Sequence, residues 1–164
     1  MEEEAVINSI IKIPLKSYLL KYVTKRLSIP DNEFELNMND SIGLGQYLIE
    51  LINKKRSYYL NIKKEEAFKF INSLDKNKNL NVYIKPRYNQ RCGSFINDEK
   101  VFLINKFIDK QFRNEMMIFI LSNQLYTSKF LLKYGISDFC SIYAVGESDI
   151  SETTLIRHFY REKE

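Results

Sequence analysis

The sequence predicts an α+β fold in which N-terminal strand-helix units form a small sheet, a long central helix follows, and a helical cluster closes the chain. Three observations carry this expectation. Short period-two alternations lie in the first half, at Ile11 to Leu15 and Leu80 to Lys85. Apolar residues recur at helical spacing from Val101 to Ile120, and beyond Ser128 only helical patterns remain.

The elements follow in order. Ile11, Ile13 and Leu15 alternate with Lys12 and Pro14 and predict a strand. Ser17 is the expected cap of a helix whose stripe is Tyr18, Leu19, Tyr22, Val23 and Leu27, stopped by residues 28–32. Phe34, Leu36 and Met38 predict a second strand, and Asp40 or Ser41 a cap for a helix carrying Leu44, Leu48, Ile49 and Ile52. The cations Lys54, Lys55 and Arg56 suit the carbonyl end of that helix. Tyr58, Leu60 and Ile62 predict a third strand and Leu80 to Lys85 a fourth; between them Ala67, Phe68, Ile71 and Leu74 fit a short helix over Glu65 to Leu74, while Phe68 and Phe70 also fit a strand. Asn97 or Asp98 then caps a helix of about 25 residues, roughly twice the average length. Behind it, a helix from Ser128 ends at Gly135, a second starts at Ser137 or Asp138 and ends before Gly146, and a third starts at Ser151 with Leu155, Ile156 and Phe159 inward.

With 164 residues, 45% of them hydrophobic, the chain is long enough to bury a core as one domain, 1–164, divisible into an α+β part, 1–96, and a helical part, 97–164. Scarce Gly and Pro beside 11 Phe and 11 Tyr exclude collagen-like and disordered classes. No stretch approaches the roughly 20 apolar residues that span a bilayer, and the opening Met1-Glu2-Glu3-Glu4 has the wrong sign for a secretory or transit leader. Cys92 and Cys140 lack metal-like or redox-like spacing and fit reduced thiols, so a cytoplasmic protein without membrane contact is expected. Richness in Ile, Asn and Lys with few Ala fits AT-rich coding DNA.

Catalytic constellations are hard to assemble. A single histidine, His158, rules out His-rich metal sites, and a nucleophilic pair needs Cys92 or Cys140 to meet it in space. Gly43-Leu44-Gly45 lacks the third glycine of a dinucleotide loop and the Gly-Lys-Ser/Thr of a phosphate loop, so these glycines are expected to permit close helix packing. Glu65 and Glu66 read as a solvated face beside Lys63 and Lys64. No enzyme activity, metal or cofactor is expected.

Charge is uneven along the chain. Residues 1–35 carry −1, 36–79 carry +3, 80–135 carry +5 and 136–164 carry −3, a basic centre between acidic ends. Within it, Lys85, Arg87, Tyr88, Asn89, Gln90 and Arg91 crowd one loop with phosphate-neutralising, base-reading and stacking side chains. Ile150 to Phe159 resembles the recognition helix of helix-turn-helix regulators, which implies Thr154, Arg157, His158 and Arg161 as DNA contacts. Upstream the resemblance departs: Val145 and Asp149 stand where that family has alanine and glycine, and Gly146 is displaced. Ile11-Lys12-Ile13-Pro14-Leu15 with its following helix resembles the opening of ribbon-helix-helix repressors, but another strand follows where that family has a second helix.

As a whole the chain resembles small uncharacterised proteins of phages and conjugative elements of AT-rich gut bacteria, which implies a context and no activity. The expected function is a non-enzymatic DNA-binding accessory or regulatory protein of a phage or mobile element. Lys85, Arg87, Tyr88 and Arg91 come first as nucleic-acid contacts, with Thr154, Arg157, His158 and Arg161 behind them. The alternative is a protein-interaction or oligomerising module pairing with itself or with another protein of the element. It draws on the aromatic content and on a long helix whose Phe102, Phe107, Phe112, Met116, Met117 and Phe119 surround more of its circumference than one stripe needs.

Overall fold

Alternation of Ile11 and Ile13 with Lys12 produces strand β1 (Ser9–Pro14), and Leu80, Val82 and Ile84 alternating with Asn81 and Tyr83 produce β3 (Asn79–Ile84). In the computed structural model, which describes residues 9–36, 39–52, 63–85, 96–126 and 131–163, these two pair antiparallel with Ile11 opposite Val82 and Ile13 opposite Leu80. Strand β2 (Glu33–Glu35) pairs parallel with the other edge of β3, giving a mixed sheet of order β1-β3-β2. Ile11, Ile13, Phe34, Leu80, Val82 and Ile84 share the buried face, while Lys12 and Glu33 point outward.

Six α-helices accompany the sheet among the described residues: α1 (Ser17–Arg26), α2 (Leu44–Ile52), α3 (Lys64–Asn72), α4 (Asp98–Tyr126), α5 (Leu132–Ile142) and α6 (Glu152–Lys163). The expected α+β class, the long central helix and the helical C-terminal part are all present. α4 is the spine. Its Ile104, Ile108, Phe112, Met116 and Ile120 are fully buried at four-residue spacing, and α1, α2, α3 and α5 pack against it. Phe112 is the hub: its ring meets Tyr18 and Tyr22 of α1 edge-on and leans on Phe139 of α5, at 5.3–5.4 Å. One buried apolar cluster takes members from the sheet, from α1 and from α4 to α6. None of the helices described is long and apolar enough to cross a membrane.

Polar side chains fix the joints. Asn105, 2% exposed in the N-terminal third of α4, accepts the Lys16 backbone N–H and donates to the Pro14 carbonyl, which ties the β1-α1 corner to the spine. Asp40 takes the N–H groups of Leu44 and Gly45 at the start of α2, and Asn97 takes that of Lys100 at the start of α4, as the capping patterns predict. Ser17 departs from its expected capping role. Lys16 holds the cap position without a side-chain bond, and the Ser17 hydroxyl donates instead to Asp149 at 2.6 Å.

Two further expectations are corrected. Gly135 does not end a helix, and neither Ser137 nor Asp138 begins one: α5 runs through all three. A glycine inside a helix costs about 1 kcal/mol relative to alanine, and burial of Ile136 and Phe139 on the same helix offsets that. α5 ends where Ala144 turns left-handed at φ 53°, with Val145 N–H returning to the Cys140 carbonyl and Ala144 N–H to that of Ser141. Gly43 serves conformation and not close packing. It sits at φ 69° with nothing near a hypothetical Cβ, whereas Gly45 is buried in α2. The expected third strand at Tyr58, Leu60 and Ile62 lies outside the described residues.

Candidate nucleic-acid interface

A cleft of about 710 Å³ runs between α4 and α6. Lys106, Asp109, Lys110, Arg113 and Asn114 line it from α4, at the three- and four-residue spacing that puts them on one helix face. Thr154, Arg157, His158, Arg161 and Glu162 line it from α6 for the same reason. The four residues singled out on the last helix by its resemblance to a recognition helix therefore share one site.

The charges in this cleft fall into two groups. Asp109 is neutralised locally, accepting the Arg113 Nε–H at 2.8 Å and the Tyr18 hydroxyl at 2.9 Å. Burial, and then the Asp109 charge, push the Tyr18 phenol far above its ordinary value, so it remains a donor. Glu162 lies 3.8 Å from Arg161 Nε and 4.0 Å from His158 Nδ1. His158 is mostly buried; burial, and then the Arg113 charge, hold its imidazole below the ordinary value and outweigh the pull of Glu162. Neutral His158 accepts from Arg161 Nη2 through Nδ1 at 3.2 Å, which steadies that guanidinium. Lys106 stands 4.5 Å from the Phe102 ring centre and 3.7 Å from Glu66, mostly exposed. Lys110 and Arg157, on opposite walls, form no ion pair with any described residue. Two uncompensated cations facing one cleft are what an anionic oxygen needs.

The α6 wall is held in place by Asp149 in the link before it. That carboxylate accepts Lys21 Nζ and Ser17 Oγ of α1, both at 2.6 Å, and the Gly146 N–H at 2.8 Å. Burial alone would raise its pKa; the Lys21, Ser17 and Gly146 donors overcome this and hold it below the usual carboxylate value. Ser151 then caps α6, its hydroxyl 3.3 Å from the Thr154 N–H and 2.7 Å from the Thr154 hydroxyl.

Of the other expected site residues, Lys85 does not join this cleft. Lys85 follows β3 and forms an ion pair with Glu35 of β2. Arg87, Tyr88 and Arg91 lie outside the described residues, as does Cys92. Cys140 lines a separate cavity of about 210 Å³ that does not include His158, and burial, then Glu147 and Glu152, push its thiol up to about 11, the wrong direction for a nucleophile. The helix-turn-helix resemblance weakens on geometry, because the link between α5 and α6, residues 143–151, exceeds the turn of about three or four residues in that motif. The ribbon-helix-helix resemblance weakens too: β1 is already paired with β3 of its own chain, and β2 follows α1.

Sequence reasoning missed the α4 wall. Lys106 and Lys110 lie within the basic centre, but they look like the solvated side of an amphipathic helix until α6 is placed beside them. Among the described residues no three His, Cys, Asp or Glu side chains gather as metal ligands. No protein-family model, curated protein or solved structure matches the chain.

Proposed function

We propose that the chain is a non-enzymatic DNA-binding accessory or regulatory protein of a phage or mobile element, holding phosphates in the α4–α6 cleft. The observation that carries this reading is the pair Lys110 and Arg157 on facing walls, neither ion-paired to a described residue, with Lys106, Arg113 and Arg161 beside them. Arg and Lys at this density release counterions from a phosphate backbone. Among the cleft side chains with nucleophilic or acid-base chemistry, Thr154, His158 and Asp109 are engaged by Ser151, Arg161 and Arg113, which favours binding over catalysis. Lys85, Arg87, Tyr88 and Arg91 supply a second contact region in the same proposal, and the Ile-, Asn- and Lys-rich composition, which fits AT-rich coding DNA, supports the mobile-element setting.

A mobility-shift titration over ionic strength tests it. Binding should weaken with a log–log slope of about −0.9 per phosphate neutralised, and Lys110→Glu with Arg157→Glu should abolish the shift. Failure of both duplex and single-stranded DNA to bind at about 50 mM salt overturns the proposal.

A second reading, self-association, has its own observation. Ile118, Leu121 and Leu125 are 64%, 40% and 84% exposed at three- and four-residue spacing on the C-terminal half of α4, the pattern of a helix seam that two copies would share. Sedimentation over a concentration series should show a dimer that Leu125→Glu dissolves. A clean monomer at high concentration removes this reading.

A further inference from the structure

Resting on the nucleic-acid reading, we infer that the cleft grips one backbone of a DNA duplex without regard to sequence, and neither threads a single strand nor presents α6 end-on to the major groove. Three observations converge. First, no Phe or Tyr is among the described residues lining the cleft, so unpaired bases find no stacking platform there. The nearby rings are committed elsewhere: Tyr18 and Phe159 are buried, and Tyr160, 58% exposed, is not part of the lining.

Second, the N-terminal turn of α6 is closed to phosphate. Glu147 accepts the Glu152 N–H at 2.9 Å and Ser151 accepts that of Thr154, so two of the first-turn donors a recognition helix would turn to DNA are spent on the protein itself. The Glu147 and Glu152 carboxylates also repel an approaching backbone. The cations of this helix come later, at Arg157, Arg161 and Lys163. α6 therefore meets DNA along its side and with its C-terminal half.

Third, the α4 wall has a linear arrangement. Lys106 and Lys110 stand one turn apart, about 6 Å of helix axis at about 1.5 Å per residue, comparable to the axial rise of about two phosphates on one strand of B-DNA, while Arg113 is held on Asp109. Arg157 and Arg161 face them across the groove. Such a site senses phosphate positions, which carry no sequence information directly.

The test is fluorescence anisotropy of the full chain with two duplexes of unrelated sequence and equal length, and with their separated strands, at matched salt. We expect the two duplexes to agree within about threefold, the single strands to bind at least about tenfold more weakly, and a salt slope of roughly −3 to −4. Lys110→Gln and Arg157→Gln should each weaken both duplexes equally, with unchanged melting temperatures showing that the fold survives, and Tyr160→Ala should leave affinity as it was. Tighter binding to a single strand, or a preference above about a hundredfold for one duplex, overturns this inference and leaves the nucleic-acid reading standing. No binding to any of the four oligonucleotides overturns both.

Discussion

Where α4 packs against α1 and α5, its carboxylates have their donors. Glu115 takes Arg26 Nε at 2.6 Å and the Tyr143 hydroxyl at 2.9 Å, and Asp109, at the edge of the cleft, takes Tyr18 and Arg113. On the side turned toward α6, Lys110 stands with no ion pair to a described residue, and so does Arg157 across the cleft. Both sides carry charge on the same helix, so helix formation does not distinguish them. Compensation does: the paired groups fix how helices sit, and the unpaired ones keep an electrostatic field that a ligand can use.

Breaking the inner side should cost most. Phe112→Ala empties the space among Tyr18, Tyr22 and Phe139 and is expected to destabilise by about 3–5 kcal/mol, read by denaturant unfolding. Asp149→Asn should cost about 1–3 kcal/mol by weakening the bonds to Lys21 and Ser17. The folded carboxyl is depressed, so its stabilisation is complete above the unfolded value near 3.9 and is lost as pH falls through the lower folded value. Melting curves of the parent and of Asp149→Asn should therefore converge in acid; a gap that stays constant down to pH of about 2 would refute the linkage.

A finer contrast concerns two tyrosines facing Glu115. The Tyr143 hydroxyl bonds to that carboxylate, and burial, then Glu115, push its phenol up to about 12. The Tyr22 hydroxyl is buried without a hydrogen-bond partner among the described residues. Tyr143→Phe should cost about 1 kcal/mol, whereas Tyr22→Phe should be neutral or slightly stabilising. Equal losses in both would mean that the two hydroxyls serve alike. Smallest of all, Lys110→Gln should move stability by no more than about 0.5 kcal/mol, because no described residue forms an ion pair with that charge. A larger loss would place Lys110 among the structural residues.

Much of the fold was legible because it is local. Alternation at Ile11 and Ile13, the Asp40 and Asn97 caps and the apolar rhythm of α4 are each determined within one element. Gly135 and Ser17 misled for the opposite reason: what settles them is packing of Ile136 and Phe139 in one case and a distant Asp149 in the other. The candidate site divides the same way. Thr154, Arg157, His158 and Arg161 share one helix face and were legible together. Their opposite wall was not, because nothing local tells a solvated lysine from one facing a second helix.

The sheet has a kinetic consequence. Joining β1 to β3 brings Ser9 beside Ile84, across α1, β2, α2 and α3, while α5 and α6 need only close the link at 143–151. Long loops close at a greater entropic cost, so β1 is expected to dock late, onto helices already assembled around Phe139. Stopped-flow refolding should then find Val82→Ala acting mainly on the unfolding rate and Phe139→Ala on the folding rate, and the reverse pattern would make the sheet the nucleus.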